Sequence, residues 1–197
     1  MADILLNTKK HVEALLTKEL DPNYLYHNLR HTQRVVKSTK ELSKACALSD
    51  KEVEVLEIAA WFHDTGYTIE TKNHEKNSCI MAAEFLEKNG YDPELTSKVS
   101  QYIMATEKNA VPTSLEEKII RDADASHFAQ KSYLETSELL REELRLLNIA
   151  DYTYKDWVDI NIKMLGNQHR YYTDCAKELG KKKRMITLTN LSKKKNR

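Results

Sequence analysis

Apolar and polar residues alternate at helical spacing along most of this chain of 197 residues. Apolar positions three or four residues apart, as at about 4–20, are typical of a helix with one buried face. The same spacing predicts further helices at about 27–46, 50–64, 74–88, 93–106, 114–124, 132–147 and 155–179. No segment shows the convincing two-residue alternation of a strand. The pattern therefore predicts an all-α fold, arranged as a single compact helical bundle.

Residues with strong positional preferences support these boundaries. Ser49 stands where a cap for the third helix is expected, Gly90 ends the fourth helix, and Pro93 opens the fifth. The chain has only 4 glycines and 3 prolines, and 31% of its residues are charged, which also favours a helical protein.

The third predicted helix is apolar on every side between residues 53 and 62, which indicates full burial, and it ends in His63 and Asp64. Because unpaired polar groups inside a protein cost free energy, both side chains need buried partners. A metal ion would satisfy the imidazole and the carboxylate together. Further ligand-type residues flank the pair in sequence: His31, Asp122 and Asp124.

The order His…His-Asp…Asp resembles that of the HD superfamily of metal-dependent phosphohydrolases, which is named for the adjacent His-Asp pair. The segments that carry the resemblance are residues 26–32, 61–64, 73–75 and 121–124. The resemblance implies a helical domain over residues 1–180, with its motif core at 24–128. It also implies one divalent metal ion, bound by His31, His63, Asp64 and Asp124.

Two imidazoles and two carboxylates suit a borderline divalent ion, and Mn, Fe, Co, Ni and Zn are not distinguishable from the sequence. Asp122 and Asp124 are two positions apart, so on a helix they point about 200° away from each other and only one can face the site. In the family the ligand follows an alanine, which matches Ala123-Asp124. Asp124 is therefore the predicted ligand, and Asp122 is expected to be a neighbouring or capping group.

His74 begins the helix after the His-Asp pair, where many family members keep a histidine near the metal. The resemblance makes it a phosphate contact, a proton donor or a fifth ligand, and a surface histidine at a helix start is an equal alternative. His27, one helical turn before His31, is expected to orient a ligand or lie at the pocket rim. The remaining candidates are expected to be solvated or packing residues, or have no assigned role: Arg30, Arg34, His127, His11 and His169.

The function implied by the resemblance is hydrolysis of a phosphate ester of a small molecule, with a nucleotide as the leading substrate. A metal-activated water would attack the phosphorus, and Asp64, Asp124 and His74 are the predicted catalytic residues. The alternative is a nucleotide-binding regulatory HD module with little or no turnover, as part of a longer signalling protein. A helical interaction domain with incidental ligand-type residues ranks below both.

Residues 65–67, Thr-Gly-Tyr, argue against two activities of the superfamily. HD enzymes that hydrolyse guanosine tetraphosphate carry acidic residues just after the His-Asp pair, and the family's 5′-nucleotidases have a glutamate where Tyr67 stands. A second metal ion would need more histidines between the pair and the last aspartate. His74 is the only one there, so one ion is expected.

Charge is uneven along the chain, although its net value is only +1. Nine basic residues and one acid lie from Lys177 onward, which leaves 22 basic and 29 acidic residues, a charge of −7, in the rest. Residues 181–197 are therefore predicted to be a basic tail or linker, and nucleic-acid binding is not expected. A homodimer is compatible with the sequence.

Localisation follows from the apolar segments and the cysteines. No apolar stretch is long enough to cross a bilayer, and the N-terminal residues have no signal-peptide pattern. The cysteines, Cys46, Cys79 and Cys175, stand singly, which is typical of reduced, buried thiols. The sequence thus predicts a cytoplasmic protein.

Overall fold

The computed structural model describes residues 3–130 and 132–178, and helices make up most of both ranges. The α-helices are α1 (Ile4–Glu19), α2 (Leu29–Ala45), α3 (Asp50–Phe62), α4 (His74–Lys88), α5 (Pro93–Met104), α6 (Leu115–Asp124), α7 (Tyr133–Leu146) and α8 (Tyr154–Lys163). Short 3-10 turns follow α3 and α6, at Thr65–Thr68 and Ala125–Ala129. These ranges contain no β-strand, which confirms the predicted all-α fold class.

The described chain divides into two compact units. The first unit contains the described residues of 1–21 and 27–124, and the second contains those of 22–26 and 125–197. The single helical domain over residues 1–180 stays a prediction. The predicted basic tail, residues 181–197, lies outside the described residues, so the boundary at 180 stays a prediction. Among the described helices, none is long and apolar enough to cross a membrane.

Helix α3 is the centre of the first unit. It packs against α1, α2, α4, α5 and α6, and every residue from 55 to 62 is buried. Ser49 and Glu52 close a capping box at its start, which satisfies backbone N–H groups that have no partner within the helix. The one carboxylate in the buried stretch, Glu57, accepts a hydrogen bond from Lys40 Nζ at 3.3 Å. The apolar run thus forms the buried helix that the sequence predicts.

Helix α2 begins two residues later than predicted, and this moves His31 to its first turn. Asn28 caps the helix, because its Oδ1 accepts hydrogen bonds from the backbone N–H groups of Arg30 at 2.9 Å and His31 at 3.4 Å. The first N–H groups of a helix have no backbone acceptor within it, and an asparagine side chain can accept hydrogen bonds from them. Asn28 therefore favours the start of the helix at the next residue. His27 therefore lies before the helix.

Helix α6, which ends at Asp124, is held at both ends. At its start Glu117 accepts hydrogen bonds from the backbone N–H groups of Thr113 at 2.5 Å and Ser114 at 3.1 Å. Near its end Arg121 donates from Nη1 to the carbonyl oxygens of Ala105 at 3.2 Å and of Thr106 and Glu107, at the end of α5. These bonds fix the helix that carries Asp124 against its neighbour.

The second unit has a core of its own. Tyr133, Val158 and Leu165 are buried together, with Phe128, Leu134 and Ile162 packed against them. A buried polar network joins α7 and α8: Trp157 Nε1 donates to Ser137 Oγ at 2.9 Å, and Ser137 Oγ donates to Asn161 Oδ1 at 2.9 Å.

The predicted helix over 155–179 is wrong in its length. Helix α8 ends at Lys163, a π-helical turn (Met164–Gln168) follows, and the backbone is extended at His169 before residues 174–178 are helical again. Gly166 lies within the turn, and glycine is among the weakest helix formers because it loses the most backbone freedom.

Candidate metal centre

Four side chains at helix ends of the first unit converge on one point. His31 comes from the first turn of α2, His63 and Asp64 follow the end of α3, and Asp124 is the last residue of α6. The Nε2 atoms of His31 and His63 are 3.2 Å apart. The sequence placed all four in one site, and the structure brings them together.

The carboxylates complete this group of atoms. Asp64 Oδ2 lies 3.2 Å from His31 Nε2 and 3.1 Å from His63 Nε2. Asp124 Oδ1 lies 3.1 Å from His31 Nε2 and 4.0 Å from His63 Nε2. Both imidazoles are only 1% exposed, whereas 35% of the Asp124 side chain is exposed. A ligand can therefore reach the group from the side of Asp124.

The spacing of these atoms fits a divalent ion. Ligand atoms on neighbouring corners of an octahedron with bonds of about 2.1 Å lie about 3.0 Å apart. Three of the ligand-type residues, His31, His63 and Asp124, offer atoms that all lie within 4.8 Å of one another. Asp64 Oδ2 is buried between the two imidazoles and makes no hydrogen bond of good geometry within the described residues. An ion would satisfy that oxygen.

The orientation of His63 leaves its Nε2 lone pair available to a metal. Its Nδ1 lies 2.9 Å from the carbonyl oxygen of Ala60, and a carbonyl can only accept, so Nδ1 carries a proton. Such a hydrogen bond on the far nitrogen is the usual way in which a protein orients a histidine ligand. His63 thus fits the predicted role well.

The charges in the group favour a cation. Burial alone lowers the pKa of His63, but the Asp64 and Asp124 carboxylates outweigh burial and raise that pKa to about 9. Burial raises the pKa of the Asp64 carboxyl, and the adjacent His63 and His31 more than reverse this effect and hold it well below its usual range. The Asp124 pKa is lowered in the same way, chiefly by His31. Without a metal, a proton on His63 supplies the positive charge.

His31 has a different partner, which the sequence did not predict. Arg34, expected to be a solvated residue, places its Nη2 2.6 Å from His31 Nδ1. A guanidinium can only donate, so Nδ1 accepts and the proton of a neutral imidazole lies on Nε2. His31 can therefore bind a metal through Nε2 only when Arg34 no longer donates to Nδ1. The three-residue spacing of His31 and Arg34 on one helix was the available sequence signal.

His74 lies beside the four residues, in the first position of α4. Its Nε2 is 3.7 Å from Asp64 Oδ1 and 3.4 Å from Glu75 Oε1. Its Nδ1 lies 3.2 Å from the carbonyl oxygen of Thr71 and so carries a proton. The side chain is 16% exposed, which makes it neither a free surface histidine nor a fully buried one. Asp64 thus faces the metal-ligand group with one oxygen and His74 with the other.

The remaining candidates are placed as follows. Asp122 is buried, at 1% exposed, within α6. The ring of His27 lies 5.6 Å from that of His31, edge to face, although His27 is not part of α2. In the second unit, Tyr26 Oη lies 3.0 Å from Nδ1 of His127. The sequence did not single out Ser78, whose Oγ accepts from Gly66 N–H and donates to His63 O, each at 2.8 Å.

The part of the chain that carries these residues matches a known domain family. The sequence profile of the HD domain matches residues 28–129, which include all four ligand-type residues and His74. No curated protein matches the chain significantly.

Several solved structures share the fold. A predicted HD superfamily hydrolase from an uncultured Thermotogales bacterium is 18% identical, with a TM-score of 0.65, and the match covers 95% of this chain and 89% of that one. The Lin1889 protein of Listeria innocua is 19% identical, with a TM-score of 0.66 and coverage of 96% and 92%. Bacillus subtilis YpgQ, crystallised in complex with ADP, is 16% identical, with a TM-score of 0.69 and coverage of 98% and 96%.

Proposed function

The chain belongs to the HD domain family, and from this membership we propose that it is a metal-dependent phosphohydrolase. Its substrate would be a small phosphate ester, and a nucleotide is the first choice. The observation that carries the proposal is the convergence of two imidazoles and two carboxylates, with ligand-type atoms 3.1 to 3.2 Å apart, beside a fifth polar residue, His74. The ADP held by YpgQ favours testing nucleotides first.

The four ligand-type residues would hold one divalent ion. Such an ion, when bound, lowers the pKa of water and neutralises charge that develops on a phosphoryl group. Asp64 and Asp124 have depressed pKa values and so remain anionic at neutral pH, which suits carboxylates that hold a divalent cation. Either carboxylate would also be placed to orient a water molecule on that ion and to accept its proton. Because Asp124 is partly exposed, substrate would approach from its side.

His74 would serve the leaving group. When the ester P–O bond breaks, the departing oxygen needs a proton. A proton on His74 Nε2 would have two acceptors nearby, Asp64 Oδ1 and Glu75 Oε1, and could pass to the leaving oxygen when substrate is bound. Water thus supplies oxygen to phosphorus and a proton to a carboxylate, while His74 supplies a proton to the alcohol product.

The test is turnover by protein purified without a histidine tag and loaded with Mn²⁺ or Co²⁺. A panel of nucleoside mono-, di- and triphosphates and simple phosphate esters is assayed for released phosphate, with Asp64→Asn as the matched inactive control. We expect hydrolysis of at least one nucleotide by the wild type and a loss of about 10³-fold or more in Asp64→Asn. Nucleotide binding without turnover would contradict the proposal and favour the regulatory module.

A further inference from the structure

The 3-10 turn after the His-Asp pair, Thr65–Thr68, is fastened tightly to the start of α4. A Cβ atom on Gly66 would lie 2.0 Å from the backbone oxygen of His74, so only glycine allows this approach. The Gly66 N–H donates to Ser78 Oγ, and Ser78 Oγ donates to the backbone oxygen of His63, each at 2.8 Å. The turn, α4 and the end of α3 therefore keep a fixed spacing.

Tyr67, in the middle of this turn, lies flat on the imidazole of His74. The two ring centroids are 3.9 Å apart and the ring planes differ by only 13°. The ring of His27 lies 4.9 Å from that of Tyr67, tilted by 37°. Tyr67 thus covers one face of His74 and is itself packed against a second ring.

This stack constrains the ring plane of His74, whereas its nitrogen atoms are aimed by other groups. Thr71 accepts from Nδ1, and the carboxylates of Asp64 and Glu75 lie beside Nε2. One hydrogen bond donated to a loop carbonyl leaves the imidazole free to rotate about that bond, because rotation of a terminal ring torsion is soft. A flat aromatic neighbour at contact distance blocks this rotation.

We propose that Tyr67 is a positioning residue for the reaction: its ring holds the imidazole of His74 in the plane that directs Nε2 toward Asp64 and the phosphate. The inference rests on the proposed function and assigns a role in catalysis to Tyr67, which is not one of the metal ligands. Because a displacement of about 1 Å can cost about 100-fold in rate, loss of the stack should act on catalysis far more than on metal binding.

The experiment compares Tyr67→Leu, which removes the ring, with Tyr67→Phe, which keeps it and loses only the hydroxyl. Tyr91→Leu is the control, because Tyr91 is also a half-buried tyrosine of the first unit and its hydroxyl bonds to Glu54 at 2.7 Å. We expect Tyr67→Leu to lower kcat by about 10- to 100-fold with KM and metal content nearly unchanged. Tyr67→Phe should recover most of that loss, and Tyr91→Leu should cause none.

Two further measurements separate positioning from general packing. In a His74→Ala background, Tyr67→Leu should have little additional effect on kcat, because the residue it positions is gone. In NMR spectra, the ring protons of His74 should show an upfield ring-current shift that persists in Tyr67→Phe and disappears in Tyr67→Leu. Tyr67→Met, which fills the space without a ring, replaces Tyr67→Leu if the latter melts below the assay temperature.

Some results would overturn the inference. An unchanged kcat in Tyr67→Leu, or an equal loss in the His74→Ala background, would show that Tyr67 does not act through His74. Loss of metal from Tyr67→Leu would place its effect at the metal ligands instead. If the wild type hydrolyses nothing, the proposed function fails, and an unchanged His74 shift in Tyr67→Leu would separately refute the geometric role.

Discussion

Two pairs of histidines, one in each unit, have very different surroundings. The pair in the first unit is His31 and His63, and the pair in the second unit is His127 and His169. In the first unit, the Nε2 atoms of His31 and His63 face each other and two carboxylates. In the second unit, His127 lies 4.2 Å from Phe128 between ring centroids, and His169 lies 4.5 Å from the same ring. One pair is built around polar atoms and the other around aromatic rings.

This difference shows that neighbours decide what a histidine can do. Carboxylates raise the pKa of His63 to about 9, so a cation is favoured where the imidazoles meet. The aromatic rings near His127 and His169 offer packing area instead, and Tyr26 Oη lies within hydrogen-bond distance of His127 Nδ1. A histidine count would treat the four residues alike, whereas the carboxylates beside His31 and His63 distinguish the first pair.

The largest expected effect comes from exchanging members of the two pairs for alanine. His63→Ala removes a ligand, so metal content should fall to near zero and hydrolysis by about 10³-fold or more. His127→Ala should keep one ion per chain and a rate within about threefold of wild type. Elemental analysis and assays of phosphate release check both variants. A loss of metal in His127→Ala would contradict the claim that only the histidines of the first unit bind the ion.

The metal-free protein should lose stability as pH rises from about 6.5 to 9. The folded-state pKa of His63 is raised to about 9, so its contribution is fully present below the unfolded pKa near 6.5 and disappears as pH passes through 9. The loss is up to about 3 kcal/mol in the free energy of unfolding. Urea unfolding after chelation at pH 6 and pH 9 measures it. A His63→Ala variant that kept the same pH dependence would contradict the assignment.

Glu117 offers a carboxylate on the same helix as Asp124 with a structural task. Burial raises its pKa, but hydrogen bonds from Gln101, Thr113 and Ser114 reverse this effect and lower it to about 2. Its stabilising contribution should be present above about pH 4.5 and lost as pH falls through 2. At pH 7, Glu117→Ala should cost about 1 to 3 kcal/mol of stability, because the donors lose their partner. Metal content per folded chain should not change. A loss of metal in Glu117→Ala would contradict a purely structural role for Glu117.

The smallest expected effect concerns Arg34. Arg34→Gln removes the donor from His31 Nδ1 and offers a carbonyl that can accept instead, so the Nε2 lone pair becomes available. The affinity for Mn²⁺ should rise by about 3- to 10-fold, or about 1 kcal/mol. Arg30→Gln, at an exposed position of the same helix, controls for the lost charge. Equal or weaker binding in Arg34→Gln would show that the guanidinium does not oppose the metal.

The sequence was sufficient for the features that depend on local pattern. The largely apolar run before His63 predicted a buried central helix. The resemblance to the HD superfamily predicted which ligand-type side chains meet. The helix argument showed that only one of Asp122 and Asp124 can face the site. The resemblance to the HD superfamily favoured Asp124, and it is Asp124 that lies 3.1 Å from His31 Nε2.

Features that depend on long side chains or on close backbone approach were not predicted. Arg34 has many rotamers, so its contact with His31 could not be read from spacing alone. The stack of Tyr67 on His74 depends on a turn that passes so close to α4 that it leaves no room for a Cβ atom at Gly66. In the sequence, this close approach is marked by a single glycine. Helix α8 ends at Lys163 and gives way to a π-helical turn that contains Gly166, a weak helix former within an otherwise apolar pattern.

The central claim is that His31, His63, Asp64 and Asp124 hold one divalent ion in the first unit. A crystal structure of Mn²⁺-loaded protein, with the ion located by its anomalous scattering, tests it most directly. The account predicts one ion, bonded to both Nε2 atoms and to oxygens of both carboxylates at about 2.0 to 2.3 Å. An ion coordinated by Asp122 with Asp124 turned away, or bound among the histidines of the second unit, would contradict it.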